Sequence, residues 1–120
     1  MRDLVTERDV ERALKRRVEK ALPWSLCVKF VSPGLAGVPD RIIMANDVVV
    51  FVEVKRPGEH LRPLQVAVHE RMRRAGQTVL TVDSMTAVDL LVEWLVQRVL
   101  FSEDCAPDPP ESLLGVCSRV

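Results

Sequence analysis

Between Gly37 and Lys55 the chain reads GVPDRIIMANDVVVFVEVK. Two apolar stretches flank a polar break at Asn46-Asp47, and three charges, Asp40, Glu53 and Lys55, stand near the outer ends. A two-residue turn at Asn46-Asp47 pairs Ala45 with Val48. Counting outward, Met44 meets Val49, Ile42 meets Phe51 and Asp40 meets Glu53. Directly opposite side chains share a face, with Cβ atoms roughly 4.5–5.5 Å apart. Lys55 follows two residues beyond Glu53 and lies on that face too. A longer loop of even length keeps this pairing, and an odd one breaks it. Two carboxylates side by side in an apolar sheet repel each other and are costly to desolvate unless a cation sits between them. One lysine leaves the pair underneutralised, whereas a divalent ion satisfies both. Oxygen ligands with no Cys or His beside them favour a hard ion, Mg²⁺ or Mn²⁺. The backbone carbonyl of Val54 would complete the coordination. Lys55 would orient or deprotonate a water and stabilise charge building on a phosphate. The competing reading is a solvated cross-strand Glu–Lys pair. Two features favour a built site: Pro39 holds Val38 extended, and PGLAG ahead of it lets a substrate backbone come close.

The elements that must position these residues follow from patterning. Val10, Leu14, Val18 and Ala21 recur at helical spacing, so a helix is expected over 6–21 with Thr6 as its N-cap and Pro23 ending it. Strands are expected at 26–31, 40–45, 48–55 and 78–82. A helix over 62–75 carries Pro63 in its first turn, where a missing N–H costs little, and Gly76 closes it. Asp83 or Ser84 caps a last helix ending near Phe101. The order is α-β-β-β-α-β-α, a central mixed sheet of about four strands flanked by helices. Its strands look apolar on both faces, as in a sheet covered on both sides. Residues 1–101 form the expected domain. Residues 102–120 form a Pro-rich acidic tail ordered only against a partner or the domain surface.

The 120 residues suit one domain, and 48% apolar content is enough for one core. Lys+Arg and Asp+Glu are both 17, so no global basic field argues for nucleic acid. The charge is uneven, however: the stretch 53–74 is rich in Arg and the tail is acidic. Cys27, Cys105 and Cys117 are odd in number and include no C-x-x-C pair, so neither a disulfide framework nor a zinc site is expected. The N-terminus is too charged for a signal peptide, and the longest apolar region, 85–101, holds Asp89, Glu93 and Arg98, a poor membrane span. A cytoplasmic protein is expected. His60 and His69 lack metal-ligand spacing and read as surface or supporting residues. Trp24 and Trp94 read as core rather than as base-stacking platforms. Arg41 points to the face opposite Asp40 and reads as a packing or salt-bridge residue.

Asp40, Glu53 and Lys55 match P-D, a spacer and (D/E)-x-K, the pattern of the PD-(D/E)xK nucleases. With its surroundings, KFVSPGLAGVPDRI, FVEVKRPGEHLRPLQ and the helix ERDVERAL, the sequence resembles the VRR-NUC family, in particular its small stand-alone phage and bacterial members. The likeness runs from about residue 6 to 84. It implies a restriction-endonuclease-like core and a Mg²⁺- or Mn²⁺-dependent endodeoxyribonuclease, similar to Holliday-junction resolvases and working as a homodimer on four-way DNA junctions. It would act in a bacterial cell or a phage-infected host. A two-fold dimer supplies the two sites that symmetric cutting needs. Asp40 and Glu53 would hold the metal, Lys55 would serve the attacking water, and Gln65 matches the family's glutamine at the start of the next helix. The family also carries a glutamate on the first helix. Glu11, in E-x-x-L, is taken for that role, including contact with the metal through water, with Glu7 as the alternative. Lys29, Arg56, Arg62, Arg71, Arg73 and Arg74 are candidate phosphate contacts. The rival readings are a flap, nick or duplex nuclease of the same superfamily and a non-catalytic DNA-binding protein on this fold.

Overall fold

Thr6 starts the first helix by reciprocal hydrogen bonds. Its Oγ1 accepts from the Asp9 N–H, and the Asp9 carboxylate accepts from the Thr6 N–H. The computed structural model describes residues 4–101 and 105–115, so Cys117 and part of the tail lie outside the described residues. The elements are α1 (Glu7–Ala21), β1 (Leu26–Lys29), β2 (Arg41–Ala45), β3 (Val48–Val54), α2 (Pro63–Arg74), β4 (Thr78–Val82) and α3 (Met85–Leu100), followed by a short 3₁₀ turn at Glu111–Leu113. This is the expected order, with boundaries shifted by one or two residues at several ends. Ser84, not Asp83, caps α3 by accepting from the Ala87 N–H.

The sheet runs β1-β2-β3-β4, antiparallel except for the parallel β3–β4 pair that α2 connects. Ala45 pairs with Val48 and Arg41 with Val52, the register expected from the two-residue turn. Asn46 supplies the turn's left-handed conformation, φ 57°, which Asn tolerates better than most residues.

Helices α1 and α3 pack together on one face of the sheet. Val10, Leu14 and Val18 from α1 and Val88, Leu91 and Leu95 from α3 are fully buried against Ile43, Val50, Val52 and Leu80. Each such side chain contributes about 1.5–3 kcal/mol relative to exposure. The apolar stripe of α3 is thus spent within the molecule. Among the described residues the other face is covered by helix only where α2 lies on β4. Leu26, Val28, Met44 and Val49 stay exposed there. Helices thus lie on both sides of the sheet as expected, but one helix is too narrow to cover four strands, so α2 covers its face only in part. Trp24 is also exposed, not core, whereas Trp94 is buried and donates Nε1–H to the Pro107 carbonyl at 2.9 Å. From the tail's 3₁₀ turn, Leu113 enters the core with no exposure. Cys27 is buried and Cys105 exposed, and neither is in a disulfide. No described helix is long and apolar enough to cross a membrane.

Candidate active site

The site forms where the parallel strands end, the usual place for ligands in sheets with helical crossovers. Asp40 stands one residue before β2 and is held from two sides. Its carbonyl accepts from the Phe30 N–H at 2.8 Å, and its Oδ2 accepts from the Val54 N–H at 3.0 Å. The side chain is thereby fixed against the end of β3. Glu53 is the next-to-last residue of β3 and is 3% exposed. Its Oε2 accepts from Gln65 Nε2 at 3.0 Å and lies 3.9 Å from Lys55 Nζ. Gln65 is itself anchored, since its Oε1 accepts from the Arg62 N–H at 2.9 Å across the first turn of α2. Lys55 is also buried, with Glu59 Oε2 at 4.0 Å on its other side. Its backbone N–H continues the sheet to the Val82 carbonyl.

These distances bring Asp40, Glu53, Lys55 and Gln65 together. The electrostatics are those of a site short of positive charge. Burial first, and the adjacent Asp40 carboxyl second, push the Glu53 carboxyl up to about 8. Glu53 Oε1 is buried without a hydrogen-bond partner, a condition that costs about 1–3 kcal/mol. Among the described residues no three His, Cys, Asp or Glu side chains already converge as a metal cage. Two carboxylates, one with an orphaned buried oxygen, nonetheless fit a hard cation that takes its remaining ligands from carbonyls and water. In a strand, N–H and C=O of one residue point to the same side. The Val54 carbonyl therefore lies on the side where its N–H meets Asp40.

The first helix presents two glutamates differently. Glu11 Oε2 is 3.0 Å from Arg41 Nε and 3.8 Å from Lys29 Nζ, so Glu11, Arg41 and Lys29 form one ion-pair group. Arg41 is buried and also donates to the Cys27 carbonyl. Glu7 instead has its carboxyl raised, by burial first and then by Asp40 and Glu59. Glu7 is therefore the first-helix glutamate whose charge meets the Asp40 site most directly. A cleft of about 820 Å³ opens beside it, lined by residues including Thr6, Glu7, Arg56, Gly58 and Glu59.

Of the proposed phosphate contacts, Lys29, Arg56, Arg62, Arg71 and Arg74 are exposed. Arg73 is not free in the same way. Its guanidinium donates to the Val79 carbonyl at 2.8 Å and to the Leu114 carbonyl at 2.6 Å, tying α2 to β4 and the tail. His69, read from the sequence as a surface or supporting residue, is not on the surface. It is fully buried, its Nε2 is 3.8 Å from Glu53 Oε1, and desolvation by burial pushes it down to about 4. The signal was its spacing of four from Gln65, which puts both on one side of α2.

The chain is similar to a protein described as "Putative nuclease p44" from Acyrthosiphon pisum secondary endosymbiont phage 1. The two are 38% identical over 89 residues, covering 73% of this chain and 94% of that protein. It is also similar to a solved structure titled "VRR_NUC domain", at 35% identity and a TM-score of 0.65, covering 72% of this chain and 94% of the other. A scan against protein-family models matches none.

Proposed function

The chain belongs to the VRR-NUC domain nucleases, and on that premise we propose that it is a divalent-metal-dependent DNA endonuclease selective for branched DNA. The observation that carries this is the pair Asp40–Glu53 with Lys55 and Gln65 buried around it. A binding-only protein gains nothing from adjacent carboxylates that repel phosphate.

Asp40, Glu53 and the Val54 carbonyl would hold one or two Mg²⁺ or Mn²⁺ ions, with Glu7 or Glu11 reaching the metal through water. The ion would supply Lewis-acid stabilisation of the phosphodiester and a lowered pKa for the attacking water. Lys55 Nζ, between Glu53 and Glu59, would orient that water and meet charge developing on the phosphate. Gln65 holds Glu53 Oε2 and so keeps the carboxylate aimed. Exposed Lys29, Arg56, Arg62 and Arg74 would hold flanking phosphates. A four-way junction needs two symmetric cuts, so the acting form would be a homodimer. The compartment would be the cytoplasm of a bacterium or phage-infected host, in keeping with the phage origin of the relative.

The test is strand cleavage on labelled four-way junction, flap, nicked duplex, plain duplex and single strand, with Mg²⁺, Mn²⁺ or EDTA. Paired symmetric cuts in the junction are expected, absent in EDTA and reduced at least 100-fold in Lys55→Ala, the order of an electrostatic catalytic group. Cutting of flaps or plain duplex would reject junction selectivity. Junction binding with no cutting anywhere would favour the non-catalytic reading.

A further inference from the structure

Helix α2 faces Glu53 with two side chains four residues apart, and each addresses a different carboxylate oxygen. Gln65 Nε2 donates to Oε2 at 3.0 Å, while His69 Nε2 stands 3.8 Å from Oε1. The second distance is too long for a hydrogen bond. Yet both atoms are buried without a partner, and so is His69 Nδ1. Two orphaned polar groups facing each other across less than 4 Å, each costing about 1–3 kcal/mol, would relieve each other by pairing. The ring also meets the Gly37 backbone.

We propose that His69 is a positioning residue that clasps Glu53 Oε1 when the carboxylate is charged and metal-bound, so that α2 grips both oxygens of the ligand. This rests on the metal-dependent reading above. A charged carboxylate only accepts hydrogen bonds, so the clasp requires a ring that carries its proton on Nε2. Groups that orient a metal ligand in this way typically change metal affinity about 10–100-fold. His69 touches neither substrate nor water in this role. It acts through Glu53 and leaves Lys55 to the chemistry.

The experiment compares the full-length wild type with His69→Leu and His69→Gln. Mn²⁺ binding is measured by calorimetry without DNA, thermal stability in EDTA, and the His69 tautomer by ¹⁵N NMR of the Mg²⁺-loaded wild type. Expected are a His69→Leu protein at least as heat-stable as wild type in EDTA but binding Mn²⁺ about tenfold or more weakly. Partial recovery is expected in His69→Gln, together with an Nε2-protonated ring in the wild type. A purely structural role predicts lost stability with unchanged affinity. Wild-type Mn²⁺ affinity in His69→Leu would overturn the inference and leave the nuclease reading standing. A wild type that binds no divalent ion would overturn both. Should His69→Leu fail to fold, a wild-type ring protonated on Nδ1 with bound Mg²⁺ would overturn it alone.

Discussion

Glu53 shows how one buried residue links stability to the ion it would hold. Its folded-state carboxyl titrates at about 8 against an ordinary 4.5. The folded chain thus keeps a proton that the unfolded chain gives up, and this contribution to stability is present below about 4.5 and lost as pH rises through about 8. His69 works in the other direction. Its folded value of about 4 lies below its ordinary 6.5, so its contribution is present above 6.5 and lost as pH falls through 4. The two oppose each other up to 6.5, and Glu53 acts alone between 6.5 and 8. Thermal unfolding in EDTA should therefore lose about 1 kcal/mol across that upper window, allowing for partial water access. Glu53→Gln should remove the slope. Mg²⁺ competes with the same proton, so its stabilising effect should grow over the same interval. A wild-type midpoint that rises from pH 6.5 to 8 without metal would contradict this account of Glu53.

At the scale of elements, the β2–β3 hairpin was the most legible part of the chain. A two-residue turn with Asn at its left-handed position leaves one register, and that register puts Asp40 next to Glu53. The rotation of α1 about its axis was not legible. Glu7 and Glu11 are one turn apart on the same side, and long-range pairing with Arg41 decides which one turns away. Nor could patterning show that Arg73 bonds backbone carbonyls of Val79 and Leu114, because an arginine in a basic run reads as solvated. Arg73→Ala should cost about 1–3 kcal/mol in unfolding free energy by orphaning those carbonyls. The salt dependence of DNA binding should stay as in wild type. Arg56→Ala or Arg62→Ala should do the reverse, lowering the slope of log affinity against log salt by about 1 if each neutralises a phosphate. The placement of α2 rests on Gly37. Its φ is +93°, and an added Cβ would lie 3.0 Å from Val68 Cγ2 and 3.1 Å from the Leu64 carbonyl oxygen. Gly37→Ala should therefore destabilise by about 1–3 kcal/mol and weaken Mn²⁺ binding as α2 carries Gln65 away from Glu53. A stability loss with unchanged Mn²⁺ affinity would show that α2 does not set the site.

Over the whole molecule, fold class and the β2–β3 pairing could be read from periodicity and turn residues, because nearly every element carries its own start or stop residue, whereas the place of β1 and the parallel β3–β4 pair could not. What lay beyond periodicity was the far side of the molecule. The acidic, Pro-rich composition of 102–120 masks one residue, Leu113, that is as buried as any in the core. It is held in place by Trp94 on one side and Arg73 on the other, through the carbonyls of Pro107 and Leu114. We propose that residues 1–101 are nonetheless the nuclease unit, since Asp40, Glu53, Lys55 and Gln65 all fall within it, and that the tail fastens α2 and α3 to β4 from outside. Two variants separate these contributions. Leu113→Ala in the full chain should cost about 2–5 kcal/mol, the range for emptying a buried leucine site, with cleavage unchanged at temperatures well below unfolding. A chain ending at Phe101 should lose a similar amount, remain folded by circular dichroism and still bind Mn²⁺. An unfolded 1–101 chain would move the domain boundary past Leu113. A truncated chain as stable as the whole would mean that the buried leucine contributes nothing that solvent and the exposed core cannot replace, contrary to its position between α3 and β4.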